Sequence, residues 1–125
     1  MSTQRIGIGF DAHRFAPGRR LILGGIEIPD AGGLLGHSDA DVLTHALIDA
    51  LLGAASLGDI GTYFPSSDPA FKDISSQKLL AAVVKKLSAA GWQPFNLDAT
   101  IIAQEPRLSA YIDSMKNSQI GRAHV

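Results

Sequence analysis

Ser38-Asp39-Ala40-Asp41-Val42-Leu43-Thr44-His45-Ala46-Leu47-Ile48-Asp49-Ala50-Leu51-Leu52-Gly53-Ala54-Ala55-Ser56-Leu57 decides the fold class. Its apolar residues recur at helical spacing, and Leu43, Leu47, Ala50, Leu51 and Ala54 make one stripe. Ser38 is expected to cap this helix, with Asp41, three residues on, as its reciprocal partner. Asp41, His45 and Asp49 recur every fourth residue and line up on a different face. A helix of this kind needs a layer to pack on, and its neighbours supply strands. Arg5 to Phe15 reads as one, with Ile6, Ile8 and Phe10 toward a core and Gly7, Gly9, Asp11 and His13 on the opposite face. Leu21 to Ile28 reads as a second, ended by Pro29, and Asn96 to Gln104 as a third, broken by Pro106. Ser76 to Ala90 is a second helix that buries Leu79, Leu80, Val83, Val84 and Leu87 and stops at Gly91. Leu108, Ile112 and Met115 mark a short third helix. The order β-β-α-α-β-α predicts an α/β (α+β) sandwich with helices packed on one face of a sheet.

A chain of 125 residues makes one domain with a real core. Its net charge of −1 gives no support to non-specific binding of nucleic acid or anionic membranes. Charged residues are 18% of the chain, below the usual level of about a quarter, which fits a protein that hides surface in an oligomer. No cysteine is present, so any zinc site must use histidine and carboxylate. The N-terminus shows no basic start followed by an apolar stretch, and the apolar run through Leu51-Leu52-Gly53-Ala54-Ala55 is far short of a membrane span. A cytoplasmic location is expected.

Asp11-Ala12-His13 places a carboxylate and an imidazole on the same face of an extended segment. His45 on the helix would complete three ligands, and three with an open position is the pattern of a catalytic zinc. The plainer readings are a surface pair for Asp11 and His13, and a satisfied, partly buried histidine for His45. Asp49, one turn on, could accept the second N–H of His45 and fix its tautomer, or be a solvated residue. His37 and Ser38 at a helix start could hold an anion, with Ser38 also capping. The loops Asp59-Ile60-Gly61 and Phe64-Pro65-Ser66-Ser67-Asp68 could bind sugar hydroxyls or be only tight turns.

Gly9-Phe10-Asp11-Ala12-His13-Arg14-Phe15, Leu23 to Pro29, Gly36-His37-Ser38-Asp39-Ala40-Asp41-Val42, His45 to Ala55, Leu57-Gly58-Asp59-Ile60-Gly61, Phe64-Pro65 and Asp98 to Gln104 with Pro106 together resemble the 2-C-methyl-D-erythritol 2,4-cyclodiphosphate synthases of the non-mevalonate isoprenoid pathway. The likeness runs in register from about Arg5 to Asn117. It implies a homotrimer with a ferredoxin-like βαβ arrangement and active sites between subunits. Asp11, His13 and His45 would hold zinc or another divalent cation. Asp11, Ala12, His13, His37, Ser38, Asp59 to Gly61 and Phe64 to Asp68 would contact the phosphorylated methylerythritol, with His37 steadying charge in the transition state. Ala103, Gln104, Glu105, Pro106, Arg107, Leu108 and Ser109 would wrap the cytidine end. The implied reaction converts 4-diphosphocytidyl-2-C-methyl-D-erythritol 2-phosphate to the cyclic diphosphate and releases CMP.

The chain departs from that family in two places. Ser66 stands where many members carry aspartate. Beyond Asn117 nothing corresponds to the family's last strand and helix, nor to its diphosphate-binding segment, whose glutamate serves a second ion, Mg2+ or Mn2+. Residues 1–119 are therefore expected to form one incomplete domain. Ile120-Gly121-Arg122-Ala123-His124-Val125 can be encoded by the start of a common sequencing adapter and is read as a non-native tail, so His124 is assigned no metal role. A zinc phosphohydrolase and a CMP-binding trimeric module, or inactive fragment, are the competing functional readings.

Overall fold

Gly24-Gly25 divides the expected strand Leu21–Ile28 in two. Their φ angles are 58° and 78°, and positive values at both central residues suit a two-residue hairpin turn. β2 (Leu21–Leu23) and β3 (Ile26–Ile28) therefore pair antiparallel, with Leu21 opposite Ile28. A second ribbon joins β1 (Phe15–Ala16) to β4 (Gly33–Leu34). The computed structural model describes residues 3–123. Four α-helices follow the ribbons: α1 (Val42–Ala54), α2 (Ile60–Tyr63), α3 (Ser76–Ala89) and α4 (Ile112–Ala123). The tail expected to be non-native reaches His124 and Val125, which lie outside the described residues.

The class is α+β, with two small ribbons in place of the one sheet expected. Arg5 to Arg14 and Asn96 to Gln104 join no ladder among the described residues. A strand exists only where a neighbour takes its N–H and C=O groups, and neither segment has one there. The expected parity of the first segment is also reversed. Ile6, Ile8 and Phe10 are 97%, 90% and 83% exposed. Gly7 and Gly9 face α1 instead, where an added Cβ would strike the carbonyl oxygens of Ala50 and Ala46. Lacking side chains, they let this backbone lie directly on the helix. Arg5 anchors the segment's start, with its guanidinium 4.5 Å from the Trp92 ring centroid and 3.2 Å from Ser56 Oγ.

Helix α1 begins at Val42 and not at Ser38, because Ala40 has a left-handed φ of 59° and no helix can run through it. Asp41 is the cap. Its stripe also differs from the expected one. Ile48, Leu51 and Leu52 are buried, as are Thr44 and His45, because α3 covers this side and the N-terminal segment covers Ala46, Ala50 and Ala54. α3 buries Leu79, Leu80, Val83 and Leu87 against them, close to expectation. Gly91, with φ 85°, follows its end. Each fully buried aliphatic side chain contributes about 1.5–3 kcal/mol. A second cluster gathers Leu21, Leu23, Ile28 and Leu34 around Met115 of α4.

Asp41 joins the two clusters. Fully buried, its carboxylate accepts from Gly24 N (2.9 Å), Gly25 N (2.7 Å), Thr44 N (3.1 Å) and Thr44 Oγ1 (2.8 Å). The Thr44 hydroxyl in turn accepts from the side-chain amides of Gln77 and Gln119. Asp41→Ala leaves three buried donors and one half-buried donor without an acceptor, each buried orphan costing about 1–3 kcal/mol before relaxation. The expected loss is about 3–5 kcal/mol, read as a lower midpoint in urea unfolding. A midpoint unchanged within error would contradict this role.

Candidate metal centre

Asp11 and His13 leave the N-terminal segment where it crosses α1, and His45 rises from that helix to meet them. One donor atom from each lies within 4.8 Å of the others. Asp11 Oδ2 is 2.8 Å from His13 Nε2 and 3.3 Å from His45 Nδ1. The opposite ring nitrogens are occupied. His13 Nδ1 donates to the Leu35 carbonyl at 2.7 Å, and His45 Nε2 lies 2.8 Å from Ser76 Oγ and 3.1 Å from Ser38 Oγ. A carboxylate and two imidazoles thus converge with their second nitrogens already fixed, which is how protein ligands to a divalent cation are held. The donor set fits zinc.

Burial works to raise the Asp11 pKa, but the hydrogen bond from His13 and the His45 imidazole 3.3 Å away outweigh it and hold the carboxyl well below the usual range. His13 is pushed above the usual 6.5 by the Asp11 carboxylate, against burial and with help from the Leu35 carbonyl. In the metal-free protein His13 therefore adds stability that is fully present below the ordinary imidazole pKa and lost as pH rises through the raised one, while the Asp11 contribution is lost only as pH falls through its lowered pKa. For metal the sign is opposite, since a protonated His13 cannot ligate. As pH is lowered through the raised His13 pKa, zinc affinity is expected to fall about tenfold per pH unit. Calorimetric titration with buffer correction, across about pH 5.5–8, checks this. A flat profile would contradict it.

The three groups line a cleft of about 280 Å³. Phe64, Phe71 and Leu79 contribute apolar lining, and His37, Ser38, Gly61 and Ser66 complete it together with Ile60. His37 Nε2 donates to the Asp68 carbonyl at 2.7 Å, so Nδ1 is the nitrogen left for a ligand. The loop bearing His37 and Ser38 is fastened from both sides. The Arg19 guanidinium donates to the carbonyls of Gly36 and Ser38, Asp73 N donates to His37 O at 2.7 Å, and Asp39 N to Ile74 O at 3.0 Å.

The sequence pattern of the YgbB family matches residues 4–123. The chain belongs to the YgbB family. A 2-C-methyl-D-erythritol 2,4-cyclodiphosphate synthase of Syntrophomonas wolfei is 59% identical over 114 residues, which are 91% of this chain and 73% of that protein. Among solved structures, the bifunctional IspDF of Campylobacter jejuni superposes with a TM-score of 0.89 at 37% identity, covering 98% of this chain and 33% of that one. The chain therefore spans about a third of that bifunctional protein. The CDP complex of IspF from Plasmodium falciparum gives a TM-score of 0.79 at 29% identity, over 97% of this chain and 74% of that one.

Within this YgbB chain the residues expected at a site fall into three groups. Asp11, His13, His37, Ser38, His45, Ile60, Gly61, Phe64 and Ser66 meet at the cleft. Ala12, Asp59, Pro65, Ser67 and Asp68 adjoin it without lining it. Asp59 caps α2, its carboxylate holding Thr62 N and Oγ1, and Asp68 caps the following turn through Ala70 N. Ala103 to Ser109 do not reach the cleft. Ala103, Gln104, Glu105, Arg107 and Ser109 are exposed, and Leu108 packs with the hairpin cluster around Met115. The helix start expected to receive an anion is filled by the protein's own Asp41 carboxylate. Asp49 does not touch His45. Its Oδ1 accepts from Ile60 N at 2.8 Å and ties α2 to α1, because His45 turns inward to Ser76. Ser76, Arg19, Phe71 and Leu79 are not singled out by the sequence as site residues. All four come from chain positions remote from the ligand motif, and no local pattern marks them.

Proposed function

We propose that this chain converts 4-diphosphocytidyl-2-C-methyl-D-erythritol 2-phosphate to 2-C-methyl-D-erythritol 2,4-cyclodiphosphate and releases CMP. One observation carries the reading: Asp11, His13 and His45 converge in the lining of a cleft in a chain that matches the YgbB family nearly end to end. Asp11, His13 and His45 would hold zinc, which when bound supplies Lewis-acid polarisation and a template for phosphate oxygens. The nucleophile is the substrate's own 2-phosphate, already an anion. An O–P bond forms at the β-phosphorus as the bond to CMP breaks, so no serine or cysteine is needed. The remaining barrier is alignment and repulsion between anions. Holding the two ends of one substrate together can lower it by about 7–11 kcal/mol. His37 lines the cleft and, with Nε2 spent on Asp68, has Nδ1 left to steady charge there when that atom carries a proton. Phe64, Phe71 and Leu79 exclude water from the reacting groups.

The assembly proposed is a homotrimer with the cleft at a subunit boundary. Two features support it. The exposed row Ile6, Ile8 and Phe10 needs cover, and Ala103 to Ser109, the expected cytidine contacts, lie away from their own cleft. A cytoplasmic location is proposed on the soluble, phosphorylated substrate. No described helix is long and apolar enough to cross a membrane. The test is turnover of the zinc-loaded protein in 18O-water, followed by 31P NMR and mass spectrometry. The cyclic diphosphate without solvent oxygen is expected. Incorporation of 18O would assign a phosphohydrolase, and CMP binding without turnover would assign a binding module.

A further inference from the structure

We propose that Ser76 and Asp39 are positioning residues that set which ring nitrogen of His45 faces the metal. The proposal rests on the metal reading of Asp11, His13 and His45. Ser76, fully buried at the first turn of α3, places its Oγ 2.8 Å from His45 Nε2. The same oxygen contacts Asp39 Oδ1, while Ser76 N donates to Asp39 Oδ2 at 2.9 Å. A serine hydroxyl has one proton and an ionised carboxylate only accepts. The proton therefore goes to Asp39, and Ser76 shows His45 a lone pair. Ser38 Oγ, the other neighbour of Nε2 at 3.1 Å, accepts from Ala40 N and keeps a second lone pair for the ring. The Ser76 lone pair thus assigns the imidazole proton to Nε2. Nδ1 is left bare, 3.3 Å from Asp11 Oδ2, with its lone pair available to a cation.

The direction of this relay depends on Asp39 as the acceptor. Its Oδ1 accepts from Asp41 N at 3.1 Å as well as from Ser76 Oγ, so an asparagine would keep its oxygen there, and the variant that removes the acceptor is Asp39→Ala. Without that carboxylate the Ser76 hydroxyl proton is free to turn toward His45 Nε2. The ring would move its own proton to Nδ1, where it would hydrogen-bond Asp11 and compete with the cation. Asp39 also serves the start of α3, since Ser75, the residue at the cap position, makes no side-chain capping bond. A change in stability alone would therefore not identify the relay.

The experiment measures the tautomer and the affinity separately on the full chain. In metal-free protein with neutral His45, 15N chemical shifts should place the proton on Nε2 in the wild type and shift it toward Nδ1 in Asp39→Ala. Chelator competition should show zinc affinity reduced about 10–100-fold in Asp39→Ala and in Ser76→Ala, and restored in Ser76→Thr, which keeps the hydroxyl. A wild-type proton on Nδ1 overturns the relay without any variant. Unchanged affinity in both weakened variants overturns it as well. A wild type that binds no zinc overturns the metal reading, while the tautomer still decides the relay.

Discussion

His45→Ala is expected to abolish stoichiometric zinc binding. Asp11 and His13 lie two residues apart on one segment and are hydrogen-bonded to each other. His45 is the ligand fixed to the buried α1–α3 core. Without it the remaining pair has no third donor among the described residues at that point. Loss of an outer partner of a ligand costs about 10–100-fold in affinity, so loss of a ligand itself should exceed 100-fold. Metal content after dialysis should fall from one ion per chain to background. The substitution also leaves the Ser76 and Ser38 hydroxyls short of a partner, at about 1–3 kcal/mol of stability. Unchanged zinc content in a folded variant would remove the metal assignment.

Gly9→Val is expected to reach nearly the same endpoint without touching a ligand. The new side chain would collide with the carbonyl of Ala46, which belongs to the helix backbone and cannot move aside. The segment must lift, and Asp11 and His13 follow two and four residues later. Metal–ligand distances tolerate errors of only about 0.2 Å, so zinc affinity should again drop by more than about 100-fold. The α1–α3 core does not depend on this contact and should lose only about 1–3 kcal/mol. Gly53→Ala is the matching control. An added Cβ there meets nothing within 4 Å, and alanine favours a helix interior by about 0.5–1 kcal/mol. Zinc titration and urea unfolding of the two variants separate the effects. Wild-type zinc affinity in Gly9→Val would show that the segment's seat on α1 does not position the ligands.

The convergence of Asp11, His13 and His45 as a candidate metal group is legible in the sequence because each part is local: a parity of two on one segment and a histidine within a periodic helix. α3 was legible for the same reason, its apolar spacing and Gly91 agreeing on both ends. The hairpin signal at Gly24-Gly25 stands in the sequence between two apolar runs, and the reading of one long strand passed over it. The start of α1 could not be settled locally. Ser38 and Asp41 are both capping residues, and the choice falls on the left-handed Ala40, a conformation alanine rarely takes. Asp49 was the plausible partner for His45 by helical spacing, yet Ser76, 31 residues away in the chain, holds that place. The N-terminal parity failed because α1 occupies the glycine side, and only the tertiary structure shows it.

The triad is divided between two parts of unequal rigidity. His45 belongs to the packed helices, whereas Asp11 and His13 ride on backbone that joins no ladder among the described residues. A bound cation therefore closes a circuit between them, and peeling the segment away requires first releasing the ion. Its occupancy adds RT ln(1 + [ion]/Kd) to the free energy of that local opening, about 2.7 kcal/mol at a hundredfold excess over Kd. Amide hydrogens of residues 5–14 should consequently exchange up to about a hundred times more slowly with the ion in place. In this chain the same ion that would polarise a phosphate would also be a latch for the N-terminal segment.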